Sequence, residues 1–249
     1  MKSITTMTES IRLSKRMTEL GMCSRREADE FIEQGWVKVD GVVVNTLGSR
    51  VLPEQKITLE RQATVFQAER ATILMNKPVG YVSGPAEPGE RPAWTLIKAE
   101  TRFIGDKSGI VFLKKHMHNL APAGRLDVDS SGLLVLTQDG RIAKKLMSDA
   151  DVEREYVVQV EGFLSDEGMK QLNNGLSLDD ERLKPTKVSW QSEDALRFVL
   201  RENRPRQIRR MCELVGLKVI NIRRLRIGRV SLSDLPVGQW RYLRMEERF

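Results

Sequence analysis

The residues best placed to do chemistry stand together in one mid-chain stretch, Gly124-Arg125-Leu126-Asp127-Val128-Asp129-Ser130-Ser131-Gly132-Leu133-Leu134. An acid follows directly on an Arg-Leu pair inside a glycine-bounded loop. The apolar run Leu133-Leu134-Val135-Leu136-Thr137, ended by the turn signal Gln138-Asp139-Gly140, predicts a short buried strand rather than a helix. Asp127 is then a carboxylate on a loop presented by a rigid strand, a common place for chemistry. The competing reading is structural, because Asp127, Asp129, Ser130 and Ser131 are all residue types that hydrogen-bond their own backbone in turns. The loop alone leaves both readings open.

Other reactive side chains are few. Cys23 and Cys212 lie far apart, form no metal-ligand spacing and read as buried thiols of a cytosolic protein. His116 and His118 are the only two histidines. Without a third ligand nearby they read as solvated loop residues rather than a metal site. Lys77 sits in Asn76-Lys77-Pro78-Val79-Gly80, where it either meets a phosphate or caps the turn.

The elements that must position these residues follow from pattern. The 249 residues suffice for one large domain or a large and a small one. A net charge of +7 points to a polyanionic partner, nucleic acid or an anionic membrane surface. No apolar run approaches the ~20 residues that span a bilayer. The polar first residues, read as a frayed start, lack the core of a signal peptide, so export is not expected.

Residues 10–60 read as a compact module. Ile11, Leu13, Met17 and Leu20 predict a helical face stopped by Gly21. Ser24-Arg25-Arg26-Glu27 is a capping box that opens a second helix with Ala28, Phe31 and Ile32 inward. Asp40-Gly41 between Val37-Lys38-Val39 and Val42-Val43-Val44 is a two-residue hairpin signal. Arg12, Lys15 and Arg16 flank the first helix, and Arg25 and Arg26 start the second, an edge suited to phosphates. The alternative for these cations is an ordinary solvated face.

Residues 61–70 read as a polar linker and residues 71–249 as the larger domain. Residues 102–123 read as a strand or hairpin excursion of unknown purpose. Arg154 to Val160 and Leu196 to Leu200 alternate as strands, and Ser165-Asp166-Glu167 starts a helix. Pro205 marks the first position of a helix with Ile208, Met211, Leu214 and Val215 inward. Strands outnumber helices and several are hairpin-linked. The expectation is an α+β fold, a mixed and mainly antiparallel sheet flanked by helices.

Two resemblances sharpen this reading. Leu13-Ser14-Lys15-Arg16, Cys23-Ser24-Arg25-Arg26-Glu27-Ala28 and Val39-Asp40-Gly41 resemble the alpha-L RNA-binding module. Asn76-Lys77-Pro78-Val79-Gly80, Gly124-Arg125-Leu126-Asp127, Ser131-Gly132-Leu133-Leu134, Glu155-Tyr156 and Arg206-Gln207-Ile208-Arg209-Arg210-Met211 occur in the order seen in pseudouridine synthases of the RsuA/RluB/RluE/RluF group. Within the group, Arg209-Arg210-Met211-Cys212-Glu213 and Gly238-Gln239-Trp240-Arg241 look most like the RluF type. That type modifies uridines of 23S ribosomal RNA and, in some bacteria, a tRNA. Asn203 and Pro205 depart from the usual Gly and Asn before the Arg206-Gln207 pair.

The resemblance implies an isomerase in rRNA processing and ribosome biogenesis, cytoplasmic and monomeric, with RNA as partner. Uridine and pseudouridine have the same atoms and redox state, so no cofactor is needed and no metal is implied. Asp127 becomes the catalytic carboxylate, acting on sugar or base or taking a ribose proton. Arg209 becomes its bidentate partner, which would favour the ionised form. Tyr156 would stack on the extruded uracil and serve in the final proton removal, with Ile208 packing behind it. Arg125 would fill the gap left by the flipped base. Arg206 and Arg210 are left with phosphate contact or a solvated helix face, and Asp129 with stabilising the loop. Two other classes compete: an RNA-binding ribosome assembly factor without activity, and a carboxylate hydrolase, for which a second acid or a metal cluster is missing.

Overall fold

The computed structural model describes residues 9–148, 152–202 and 204–249. The frayed start and Asn203 therefore fall largely outside the described residues. The chain forms two compact units, Met1–Ala71 with Gln138–Lys144, and Thr72–Thr137 with Lys145–Phe249.

In the first unit Ile11–Arg12 is a strand paired with Arg50–Val51, and the first helix is Leu13–Glu19. Ile11 thus precedes the helix, and Leu20 lies exposed beyond it. So short a helix buries one i, i+4 apolar pair, Leu13 and Met17, and the apolar pattern overran it at both ends. The second helix, Arg25–Glu33, opens on the capping box, Glu27 N donating to Ser24 Oγ at 3.3 Å and Ser24 N to Glu27 Oε2 at 2.9 Å. Val37–Val39 and Val42–Val43 form the hairpin. Asp40 and Gly41 have φ of 51° and 85°, as a type I′ turn requires. Ile57–Leu59 completes a three-stranded sheet.

Residues 61–70 are not a linker but carry a helix, Arg61–Ala68. Ala63 and Gln67, one turn apart, are buried. Phe66 packs against Phe31 and Trp36 with ring centroids 6.0 and 5.8 Å away. The segment read as polar because its other residues face water.

The larger unit is built on a nine-stranded sheet. Its main path runs Lys187–Trp190, Ala195–Leu200, Arg154–Glu161, Lys218–Ile227, Ser131–Thr137, Thr72–Lys77, Trp240–Tyr242. All pairings are antiparallel except that between Lys218–Ile227 and Ser131–Thr137. Every residue of Thr72–Lys77 is buried, as expected for a strand inside the sheet. Alternate residues Tyr156, Val158 and Val160 face a core shared with Leu172 of the Asp166–Asn174 helix and Ile208, Met211 and Cys212 of the Gln207–Leu214 helix. The fold is α+β. Pro205 is not the first helical residue: the helix begins at Gln207, and Arg206, with a left-handed φ of 50°, caps it.

Residues 102–123 form neither strand nor hairpin over most of their length. They hold a 3₁₀ turn, Lys114–Met117, and a two-residue strand, Ala121–Pro122. Side-chain anchors replace a ladder: Phe112 packs on Trp240 at 5.1 Å, and the Asp106 carboxylate accepts from Tyr242 N at 3.2 Å. His116 is buried, its Nδ1 2.7 Å from the Tyr242 hydroxyl, so the solvated-loop reading fails for it; His118 is exposed.

Candidate active site

Asp127 lies in the loop before Ser131–Thr137, as the pattern of acids and apolar residues indicated. The loop is pinned on both sides of the acid. Leu126 N donates to Ser83 Oγ at 3.0 Å, and that hydroxyl donates to Leu126 O at 2.5 Å. Gly80 N donates to Val128 O at 2.8 Å. Arg224 spans the two ends, Nη1 donating to Arg125 O at 3.0 Å and Nε to Leu133 O at 2.7 Å. Its guanidinium is buried, and Nη2 has no hydrogen-bond partner among the described residues.

Gly132 permits this closeness. A Cβ there would stand 2.3 Å from Arg224 O, and its φ of 105° lies where L side chains rarely go. The parallel pairing of Arg224 with Gly132 thus brings the neighbouring strand directly onto the root of the loop.

Lys77 is wholly buried and caps its turn, Nζ donating to Pro78 O at 2.9 Å and Tyr81 O at 2.8 Å. The phosphate-contact alternative is thereby excluded. Burial, helped by Arg224, lowers its pKa to about 8, while Asp129 and Asp127 pull the other way. The lysine fixes the turn that offers Gly80 N to the acid loop.

Asp127, Arg125 and Tyr156 line one cavity of about 210 Å³, with Ile208, Arg206 and Gln207 on its wall from the start of the last helix. Tyr156 is 6% exposed, whereas the Arg125 side chain is exposed at the cavity. Two acids, Asp127 and Glu202, one aromatic ring and three arginines, Arg125, Arg204 and Arg206, thus converge, an arrangement suited to holding a planar base beside a carboxylate. Arg206 adds backbone strain at the same wall, since a non-glycine residue is held at positive φ.

The Arg209–Asp127 ion pair expected from the motif is not formed. Arg209 Nη2 instead lies 3.1 Å from Asp129 Oδ2 and donates to Asp129 O at 3.2 Å, and Arg206 is 3.5 Å from the same carboxylate. Asp127 faces the cavity, while Asp129, two residues on, meets the helix arginines. Arg210 turns outward to Asp179, with nitrogen–oxygen distances of 2.6 and 2.9 Å.

In the first unit Lys15 and Arg16 each pair with Glu19 at 3.7 Å, and Arg16 also donates to Pro53 O. Arg12, Arg25 and Arg26 are exposed and make no ion pair among the described residues. Sequence reasoning missed Ser83 and Arg224. For Arg224 a signal existed: strand alternation puts it in the inward register with Ile222, where an arginine needs partners. Nothing in the type of Ser83 distinguished it from a turn serine.

Comparison with known proteins agrees with this geometry. Residues 71–214 match the family model described as RNA pseudouridylate synthase, and residues 11–57 that of the S4 domain. The dual-specificity RNA pseudouridine synthase RluF of Escherichia coli O6:H1 is 37% identical over 241 residues, covering 96% of this chain and 77% of RluF. Ribosomal large subunit pseudouridine synthase B of Bacillus subtilis is 33% identical over 243 residues, 95% of this chain and 93% of that protein. A crystal structure of a pseudouridylate synthase aligns with a TM-score of 0.62 at 26% identity, covering 94% of this chain and 96% of the other. With the synthase family matched over more than half its length, and an S4 domain ahead of it, this chain belongs to the RNA pseudouridine synthases, isomerases that act on uridine within RNA.

Proposed function

We propose that this enzyme isomerises one or more uridines of 23S ribosomal RNA, with a tRNA as second candidate substrate, and that Asp127 is its catalytic carboxylate. The observation that carries the catalytic assignment is the shared cavity of Asp127, Tyr156 and Arg125. The RNA target is supported by the relatives, one named for dual specificity and one for the large ribosomal subunit.

The reaction breaks the bond between uracil N1 and ribose C1′ and joins C5 to the same carbon. The C5 proton leaves, N1 gains one, and no atom or electron is left over, so the chemistry calls for no cofactor. The Asp127 carboxylate engages the nucleoside while the base detaches and turns. The Tyr156 ring stacks on the turning uracil, backed by Ile208, and its hydroxyl takes part in removing the C5 proton. Extruding the uridine from its stack costs a few kcal/mol, offset by stacking and by Arg125 entering the space left behind. Arg209 acts as a positioning residue, clamping the loop through Asp129, while Arg206 and Arg210 meet phosphates. Arg12, Lys15, Arg16, Arg25 and Arg26 of the S4 domain hold the RNA backbone. The enzyme works as a cytoplasmic monomer during ribosome biogenesis.

Pseudouridine mapping in ribosomal RNA and tRNA from cells with and without this protein tests the target. Loss of at least one pseudouridine from 23S RNA, restored by the wild-type protein, is the expected result. A change confined to 16S RNA, or none at all, contradicts the reading.

A further inference from the structure

We propose that the solvent face of the large sheet, opposite the Asp127 cavity, is a second RNA-binding surface that takes backbone phosphates of a folded RNA beyond the segment carrying the target uridine. The proposal rests on the chain acting on structured RNA, but not on which uridine it modifies.

Strand alternation divides the sheet into two faces. Tyr156 and Ile222 line the cavity. Their neighbours Glu155, Val157 and Arg223 must therefore lie on the other side. Register puts more charge there. Arg197 and Arg223 both stand opposite Val157, Arg226 stands opposite Glu155, and Lys187 stands opposite Val199, itself across from Glu155. Arg201 joins them at the end of its strand.

Two carboxylates hold four of these cations in place. Glu155 accepts from Arg197 Nε at 2.7 Å and Arg226 Nε at 2.8 Å. Glu153 meets Arg226 and Arg201 at 3.3 Å and Lys187 at 3.8 Å. Arg223 and Arg229 are exposed and have no ion-pair partner among the described residues. Six cations against two carboxylates leave an excess of four positive charges on one end of the face. A cavity of about 330 Å³ opens among Arg201, Arg226, Arg229 and Lys145.

Carboxylate-braced guanidinium groups lose little freedom on binding and present fork-shaped donors that match phosphate oxygens. None of these register positions carries a large exposed apolar residue. These positions therefore lack the anchors of a protein interface and the apolar side of a membrane-binding element. RNA is the polyanion this enzyme already meets. Because the sheet separates the two faces, the phosphates bound here are not those of the nucleotides entering the cavity.

The test compares wild type with the double variant Arg223→Gln/Arg229→Gln on two RNAs bearing the mapped uridine, a long folded transcript and a short hairpin cut from it. Filter binding over a range of salt reads affinity without turnover. We expect several-fold weaker binding of the long transcript, a salt slope smaller by about one to two, and unchanged affinity and turnover on the hairpin. The Arg223→Lys/Arg229→Lys variant should restore the slope. Unchanged binding of the long transcript overturns the proposal, as does an equal loss on both RNAs. So does a loss of binding to phosphatidylglycerol–phosphatidylcholine vesicles with RNA binding intact. Failure of this test would leave the 23S assignment untouched, and failure of pseudouridine mapping would leave this surface untouched.

Discussion

Lys77 spends its charge in the interior of the larger unit, where both its hydrogen bonds go to backbone carbonyls of the turn that steadies the acid loop. Its depressed pKa makes this a pH-dependent arrangement. The unfolded chain keeps the ordinary lysine value of 10.5 and the folded chain about 8. Between these values the unfolded state binds more protons, so this group's contribution to stability rises with pH, is complete above 10.5 and is lost as pH falls through about 8. Urea unfolding across this window should show the rise in wild type and its absence in Lys77→Met. Identical pH profiles would mean that Lys77 is not held as described. From sequence alone a lysine before a Pro-Gly turn gave no hint of burial. Asp127 was legible because its loop and strand are local features. The partner of Arg209 was not, because two acids two residues apart differ only in the side of the loop they take, which the tertiary fold decides.

At the scale of the element, the root of the acid loop depends on one glycine. Gly132→Ala would force a Cβ to within 2.3 Å of Arg224 O at a positive φ. The strand pairing there is parallel and inside the sheet, so neither strand has an easy way to withdraw. The variant should lose about 3 kcal/mol or more of stability, with activity falling faster than folding as the loop shifts. Chemical denaturation paired with turnover checks this, and a variant as stable and active as wild type would refute the close packing. The capping box at Ser24 and the Asp40-Gly41 turn could be read in advance because their chemistry lies within a few residues. The Arg61–Ala68 helix could not, since its packing partners Phe31 and Trp36 stand far away in the sequence. The anchoring of residues 102–123 by Trp240 and Tyr242 is likewise a long-range fact.

Over the whole molecule, the proposed function assigns holding RNA and transforming a uridine to different residues. In that proposal the exposed arginines of the S4 domain, and the braced cations on the outer face of the large sheet, carry charge without chemistry. The cavity carries the Asp127 carboxylate, the Tyr156 ring and Arg125 beside the acid, with Glu202, Arg204 and Arg206 also on its wall. The excess of basic residues visible in the composition indicated a polyanion, and the ordered motifs indicated the reaction. Which cations lie free and which are spent on internal carboxylates emerged only from the three-dimensional pairing. This division of labour makes binding and catalysis separable by one substitution. Asp127→Asn keeps the shape of the side chain and removes its charge, so turnover should fall by at least roughly a thousandfold while RNA affinity stays within a few-fold of wild type. Pseudouridine formation by purified Asp127→Asn at a rate near that of the wild-type enzyme would contradict the account.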